Sequence, residues 1–267
     1  MPFDPTSILV PEFENPVSET PDRLLVTVGY CHYGTVTDDF SDCMLRMYQY
    51  DSTHGKHWDA IAKSKTPYIP MGRNQIVESF LEKRFGHWLL FLDNDVVFPA
   101  DTMERLLALA DPDEVPILGG LYLTPLQPDP DDLTRMEHLP TWTYDGGQER
   151  TPVLSVDFSE PLMELHSCGM GCTLIHRRVL ETMRDAYRDD PWKWFNHDLV
   201  QVGDREPERL GEDLAFCVRA RNLGFKVHGT PDVRCGHIKT QLLHPLSYVE
   251  GRQPTTRSFM FMNRRQL

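Results

Sequence analysis

Asp93-Asn94-Asp95 sets two carboxylates one residue apart at the end of the apolar run Trp88-Leu89-Leu90-Phe91-Leu92. The run is short, apolar on both faces and bounded by turn signals, so it reads as a buried strand. Carboxylates are costly to desolvate, so both acids should lie where the strand leaves the core. In an open α/β sheet that carboxyl edge is where ligands bind. Two acids placed there suit a divalent cation and the phosphates it carries. The competing reading is an acidic turn that solvates a loop, since Asp-x-Asp alone is a common pattern.

Other residue groups could complete such a site. Gly211-Glu212-Asp213 opens a helix. Acids there complement the helix dipole, or they offer a general base to an incoming hydroxyl. His237 closes Arg234-Cys235-Gly236-His237, where the glycine lets the backbone approach something closely. A lone histidine is more often a surface or packed residue. Joined with carboxylates around one ion, it would suit Mn²⁺ better than Mg²⁺. Arg73, in Gly72-Arg73-Asn74, matches a diphosphate or the Asp93 cluster, or bonds locally within its helix. Cys168-Gly169-Met170-Gly171-Cys172 lacks the lysine and spacing of a phosphate-binding P-loop, so it reads as small residues beside a ligand or as a tight bend. Trp192, Trp194 and Phe195 could stack on a sugar or a base, or form a lid or ordinary core.

The elements that must position these residues alternate. Strand 24–30 leads through His32, Tyr33 and Gly34, a plausible nucleotide contact, to a helix over 38–50. A second helix spans 71–85, with Ile76, Val77, Phe80 and Leu81 on one face. After the acidic strand, Asp101 starts a helix with Glu104 as a capping box. A strand over 115–123 follows, with Pro116 at its start or near a sheet edge. This order implies a parallel sheet with crossover helices. Residues 124–160 read as a long loop with a hairpin around Trp142 and Tyr144. Short strands at 162–166 and 172–175, a helix over 177–188, an irregular stretch over 189–210, a helix ending at Asn222 and strand pieces at 225–228 and 233–235 complete the pattern. Residues 1–22 read as an N-terminal arm, 23–239 as one domain and 240–267 as a tail packed on it.

The totals narrow the class. The chain has 267 residues, with 27 basic against 40 acidic side chains and a net charge of −13. That balance opposes broad adhesion to nucleic acid or anionic lipid. Six cysteines include no C-x-x-C pair, so free thiols in a reducing compartment are expected. No apolar run approaches the roughly 20 residues needed to span a bilayer, and the first residues lack a secretory signal. A cytoplasmic location is the expectation.

Taken in order, Arg73-Asn74, Phe91-Leu92-Asp93-Asn94-Asp95, Phe98-Pro99-Ala100-Asp101, Gly169 with Gly171, Gly211-Glu212-Asp213 and Cys235-Gly236-His237 resemble a glycosyltransferase of GT-A fold. The likeness is to family 2-type enzymes and to small bacteriophage-encoded members, over roughly residues 24–238. The resemblance implies an α/β fold of one domain, a Rossmann-like, mostly parallel sheet flanked by helices. It implies Mn²⁺ or Mg²⁺ and a nucleotide-sugar donor, a UDP-sugar first. Asp95 and His237 would bind the metal, with Asp93 binding it or facing the donor ribose. Tyr30, Arg73, Asn74, Asn94 and Gly169 would lie along the donor. Asp213 would be the base, with Glu212 positioning the acceptor or exchanging roles with it. The first strand departs from the family, ending Gly29-Tyr30-Cys31-His32 in place of Pro-x-Tyr-Asn. The implied activity is sugar transfer to an acceptor hydroxyl, in a host cytoplasm if the chain is phage-encoded. Alternatives are a glycosyltransferase acting on hydroxymethylated pyrimidines in modified DNA, a nucleotidyltransferase, and a silent nucleotide-sugar binding module.

Overall fold

The structure, a computed structural model, describes residues 24–82, 86–125, 138–145, 150–197, 199–200 and 208–239. The proposed arm over 1–22 and the tail from 240 lie outside them. The chain opens with β1 (Val26–His32), α1 (Asp38–Thr53), β2 (Trp58–Lys65), α2 (Ile69–Glu82) and β3 (Trp88–Leu92). A short β4 (Val96–Val97) and α3 (Thr102–Leu109) lead into β5 (Ile117–Leu121). Next, β6 (Leu123–Pro125) pairs with β7 (His138–Pro140), and β8 (Trp142–Asp145) with β9 (Arg150–Pro152). The short β10 (Met163–Leu165) and β11 (Ser167–Cys168) precede β12 (Cys172–His176) and α4 (Arg177–Ala186). Then β13 (Leu199–Val200) pairs with β14 (Glu208–Arg209), ahead of α5 (Glu212–Asn222), β15 (Val227–Arg234) and β16 (Gly236–His237).

The main sheet has seven strands in the order β10-β15-β5-β12-β3-β1-β2. Strands β2, β1, β3, β5 and β15 run parallel, while β12 and β10 run against their neighbours. Both faces are covered, and the pleat sorts the side chains. Along β3, Trp88, Leu90 and Leu92 join a core with Phe40 and Met47 of α1 and Met103 and Leu106 of α3. Leu89 and Phe91 join the opposite core with Ile76 and Phe80 of α2, Leu180 of α4 and Phe216 of α5. A strand buried on both faces must be apolar throughout, which is why β3 shows no alternation. Among the described residues no helix is long and apolar enough to cross a membrane.

Some elements differ from the sequence reading. β2 has no counterpart there. It is an edge strand in which only Ala62 and Ser64 are buried, while Ile61, Lys63 and Lys65 face outward. Lysines on an edge discourage pairing with another chain. The strand pieces at 225–228 and 233–235 are one strand, β15, whose pairing with β5 slips between Thr230 and Arg234. The capping box is also corrected. Asp101 precedes α3 without a side-chain cap bond, because its carboxylate binds Arg105 at 2.6 Å.

Helix α2 lies close on β1 where glycines remove side chains. A Cβ on Gly72 would stand 2.7 Å from both Cys31 Sγ and Thr66 Cγ2, and one on Gly29 would stand 2.8 Å from Ile76 Cγ2. That approach fixes how far Arg73, the next residue, reaches across the sheet. Gly72→Ala is therefore expected to destabilise the fold by about 1–3 kcal/mol through overpacking, read as a lower midpoint in urea. An unchanged midpoint would show that the contact relaxes freely.

Candidate active site

The carboxyl ends of β1 and β3 lie side by side, and the chain leaves them in opposite directions, from β1 to β2 and from β3 across to β5. Such a switch point opens a crevice suited to a ligand. Asp93 and Asp95 occupy its rim, each about one-third exposed, at 31% and 34%. Gly34, with φ of 114°, turns the loop after β1. Thr37 caps α1 by accepting from Phe40 N–H at 3.1 Å, and its own hydroxyl donates to Asn94 O at 3.2 Å. The two loops are thereby tied together.

Beneath the rim lies Arg73, only 3% exposed. One terminal nitrogen donates to Asp93 Oδ1 and Oδ2 at 3.0 and 3.2 Å. The other donates to Asp213 Oδ1 at 2.6 Å and Glu212 Oε1 at 3.3 Å. A single guanidinium thus joins the end of β3 to the N-terminus of α5. Its charge is well secured, because the three surrounding acids outweigh the effect of burial. Three carboxylates around one cation cannot all ionise without repulsion. Burial and the neighbouring Asp213 charge push Glu212 up to about 7. Asp213 is held low despite its burial, since Arg73 and the Met170 N–H, at 3.1 Å, both bind its charged form. Of the two acids, Glu212 therefore binds a proton the more tightly.

The second cluster is formed by Asp95 and His237. β16 pairs antiparallel with β4, His237 opposite Val96, and Ile238 N–H donates to Asp95 O at 2.8 Å. This brings His237 Nε2 within 3.4 Å of Asp95 Oδ2. His237 Nδ1 lies 2.7 Å from Leu123 O, which only a protonated nitrogen can satisfy. Nε2 is thereby turned onto the Asp95 carboxylate, which also attracts a cation. Lys239 Nζ supplies one at 2.7 Å from Asp95 Oδ2. Burial would raise the Asp95 carboxyl, but the bonds from His237 and Lys239 hold it down to about 2. A carboxylate beside an imidazole whose other nitrogen is fixed by a backbone carbonyl fits a transition-metal donor pair.

Several expected roles change on this geometry. Asp93 faces Arg73, and among the described residues no group of three His, Cys, Asp or Glu side chains converges on one metal position. Asp93 is thereby set apart from Asp95 and His237, the pair that remains together of the expected ligand set. Arg73 takes the second of its readings, bonding the Asp93 cluster from below rather than reaching a diphosphate. Asn74 is not a donor contact. Its amide gives hydrogen bonds to Pro70 O and Phe195 O and accepts from Trp194 and Phe195 N–H, so it is saturated inside the core. Gly169 and Gly171 border Tyr122. A Cβ on Gly169 would fall on the Tyr122 hydroxyl, which accepts from Gly171 N–H at 2.9 Å. Tyr30 is half-buried and meets Phe40 edge-on, with ring centroids 5.3 Å apart. Trp194 and Phe195 are core, Phe195 stacking on Phe216. Cys31, beside the Arg73 cluster, has its thiol pushed up to about 11 by burial, which opposes a thiolate role.

The sequence reading passed over Tyr122, which stands edge-on to His237 at 5.2 Å, along with Lys239 and His197. A tyrosine inside an apolar strand and polar side chains in irregular segments carry no periodic signal.

No protein-family model matches the sequence, and no curated protein sequence matches it. Solved structures similar to this chain include A197 from STIV, at 16% identity, a TM-score of 0.45 and coverage of 81% of this chain and 87% of that one. GalNAc-T7 with UDP, GalNAc and Mn²⁺ has 12% identity and a TM-score of 0.45, over 82% of this chain and 44% of its own. A glycosyltransferase involved in the glycosylation of the major capsid of PBCV-1 has 16% identity and a TM-score of 0.34, over 64% of this chain and 71% of its own.

Removing the Arg73 charge leaves buried carboxylates uncompensated. Arg73→Leu is expected to lower stability by about 3–5 kcal/mol, measured by denaturant unfolding. Arg73→Lys should recover little, because an ammonium cannot fork between β3 and α5. Wild-type stability in Arg73→Leu would show that the cluster is incidental.

Proposed function

We propose that this chain is a metal-dependent glycosyltransferase that moves a sugar from a nucleoside-diphosphate donor to an acceptor hydroxyl. One observation carries the reading. Arg73 ties the acidic rim of β3, with its cation-seeking Asp95–His237 pair, to the carboxylate pair at the start of α5. Sugar transfer needs these two provisions side by side: charge compensation for a departing diphosphate and a proton acceptor for the attacking hydroxyl.

Asp95 and His237 would hold Mn²⁺ or Mg²⁺, with the remaining ligands drawn from phosphate and water, as is usual for such ions at nucleotide sites. When bound, the ion would offset the negative charge that gathers on the leaving diphosphate. The β1–α1 loop and Asn94, joined through Thr37, would border the nucleotide, and a UDP-sugar is the first donor to test. Lys239 would give up its place on Asp95 as the ion enters.

Glu212 is the proposed base. Asp213 is committed to Arg73 and the Met170 amide at both oxygens, so it anchors the helix start. Glu212 makes longer contacts, 3.3 Å to Arg73 and 3.5 Å to His197, and shares a hydrogen bond with Asp213. Its affinity near 7 matches a group that takes a proton at neutral pH. The sequence reading favoured Asp213 and allowed the exchange adopted here.

The metal arm is tested by thermal shift. UDP with Mn²⁺ should raise the midpoint of the wild-type protein more than UDP alone. In Asp95→Asn and in His237→Ala that Mn²⁺-dependent increment should vanish. An undiminished increment in both variants would place the cation elsewhere.

The base is tested by pH. Glu212 must lose its proton to act, so kcat/KM for nucleotide release should rise with pH through about 7 and then level. Glu212→Gln should lower kcat by about 10²–10⁴-fold and flatten that limb. If Asp213→Asn flattened it instead and Glu212→Gln did not, the two roles would be reversed.

A further inference from the structure

Beyond Glu212, away from the Asp95–His237 pair, the α5 helix start is bordered by aromatic rings. Tyr68, at the foot of α2, is 43% exposed. Its ring meets Trp192 at 5.6 Å between centroids and 87° between planes, and His197 at 6.1 Å. His197 Nε2 in turn lies 3.5 Å from Glu212 Oε2. Two rings at a right angle form a corner, and an imidazole links that corner to the proposed base.

The corner is held from below. Buried Arg219, on the same helix as Glu212, donates to Trp192 O at 2.8 Å, Lys193 O at 3.1 Å and Asp190 Oδ2 at 2.9 Å. Asp190 Oδ1 accepts from Trp192 N–H at 2.8 Å. Tyr187 adds a hydroxyl bond to Arg219 O at 3.3 Å, and its ring lies under the guanidinium at 5.0 Å. On the other side, Asn74 fixes the backbone of Trp194 and Phe195. Each end of the stretch carrying Trp192 is therefore locked to a helix that also bears a site residue. Trp194 and Phe195 turn into the core, while Trp192 and His197 remain partly exposed. Such support is what a preorganised subsite requires, and a solvent loop has no need of it.

We propose that Tyr68, Trp192 and His197 form the acceptor subsite, and that the acceptor is a neutral carbohydrate whose ring stacks in the aromatic corner with a hydroxyl turned toward Glu212. The inference rests on the transferase reading above and adds the acceptor class. A pyranose has an apolar C–H face that suits an aromatic ring, and hydroxyls that suit carboxylate and imidazole. A nucleic acid offers bases that could also stack, but it brings phosphates. Of the charges beside the corner, Asp190 pairs with Arg219, and Glu212 and Asp213 pair with Arg73; Lys193 is the one lysine or arginine between 189 and 197, on a chain of net charge −13. Arg219 is buried and already paired with Asp190. The net negative charge of the chain disfavours a phosphate backbone and leaves an uncharged sugar indifferent.

Saturation-transfer NMR on the full chain with UDP and Mn²⁺ tests this directly. The probes are maltohexaose, cellohexaose, chitohexaose and mannohexaose, with a single-stranded and a duplex DNA bearing hydroxymethylcytosine. At least one oligosaccharide should bind. Its Kd should rise about tenfold or more in Trp192→Ala and in Tyr68→Ala, the loss expected for one stacked ring. Trp192→Phe, which keeps a ring, should bind nearly as the wild type does, and thermal midpoints will show whether each variant folds. Binding of no oligosaccharide, undiminished binding in both alanine variants, or capture of the DNA through these rings would overturn the acceptor assignment. Nucleotide binding read in the same samples separates the two claims. If UDP with Mn²⁺ binds and sugars do not, only the acceptor class falls; if UDP does not bind, the donor reading falls.

Discussion

The buried guanidinium of Arg73 is the interaction on which the rest of the site depends. Its two terminal nitrogens reach Asp93 on one side and the Glu212–Asp213 pair on the other, segments separated by over a hundred residues of chain. Burying one positive charge among three negative ones leaves an excess of negative charge that the fold must relieve. Part of the relief comes from the Met170 amide, which binds Asp213. The remainder appears as the raised proton affinity of Glu212. The ion cluster and the raised proton affinity of Glu212, to which its burial also contributes, are thus two aspects of one arrangement.

A second constraint acts through the backbone. β4 and β16 are each two residues long, yet their pairing returns the end of the domain to the acidic loop. Tyr122 fills the space between Gly169, Gly171 and the His237 ring, and Leu123 O fixes which imidazole nitrogen carries the proton. The orientation of the His237 ring is therefore set by contacts from β5, β6 and the β11–β12 turn. None of those segments is near His237 in sequence.

This division explains what was legible in the sequence. β3, α2 and α5 could be read because burial on one or two faces imposes a period or an unbroken apolar run. The acidic pair at the end of β3 and the acids opening α5 could be read because strand ends and helix starts have fixed chemical consequences. β2 could not, since an edge strand with one exposed side carries only a weak pattern. Nor could the partners of Arg73 and Asn74. Both occupy the same helix turn, yet one joins the charged cluster and the other saturates the backbone of a core loop. Only the fold decides which neighbour each side chain meets. Aromatic residues at 192, 194 and 195 look alike in sequence, and the bonds from Arg219 and Asn74 sort them into one partly exposed ring and two buried ones.

Under the proposed function, donor and acceptor would meet at the N-terminus of α5, where Glu212 contacts both Arg73 and His197. The account stands or falls on one cation being held by Asp95 and His237 beside an intact Arg73 cluster. Anomalous diffraction from crystals grown with Mn²⁺ and UDP measures this directly. The expected result is a single strong peak within ligating distance of Asp95 and His237, with Asp93 still bonded to Arg73 and Lys239 displaced. A peak elsewhere, or Asp93 turned from Arg73 onto the ion, would contradict it.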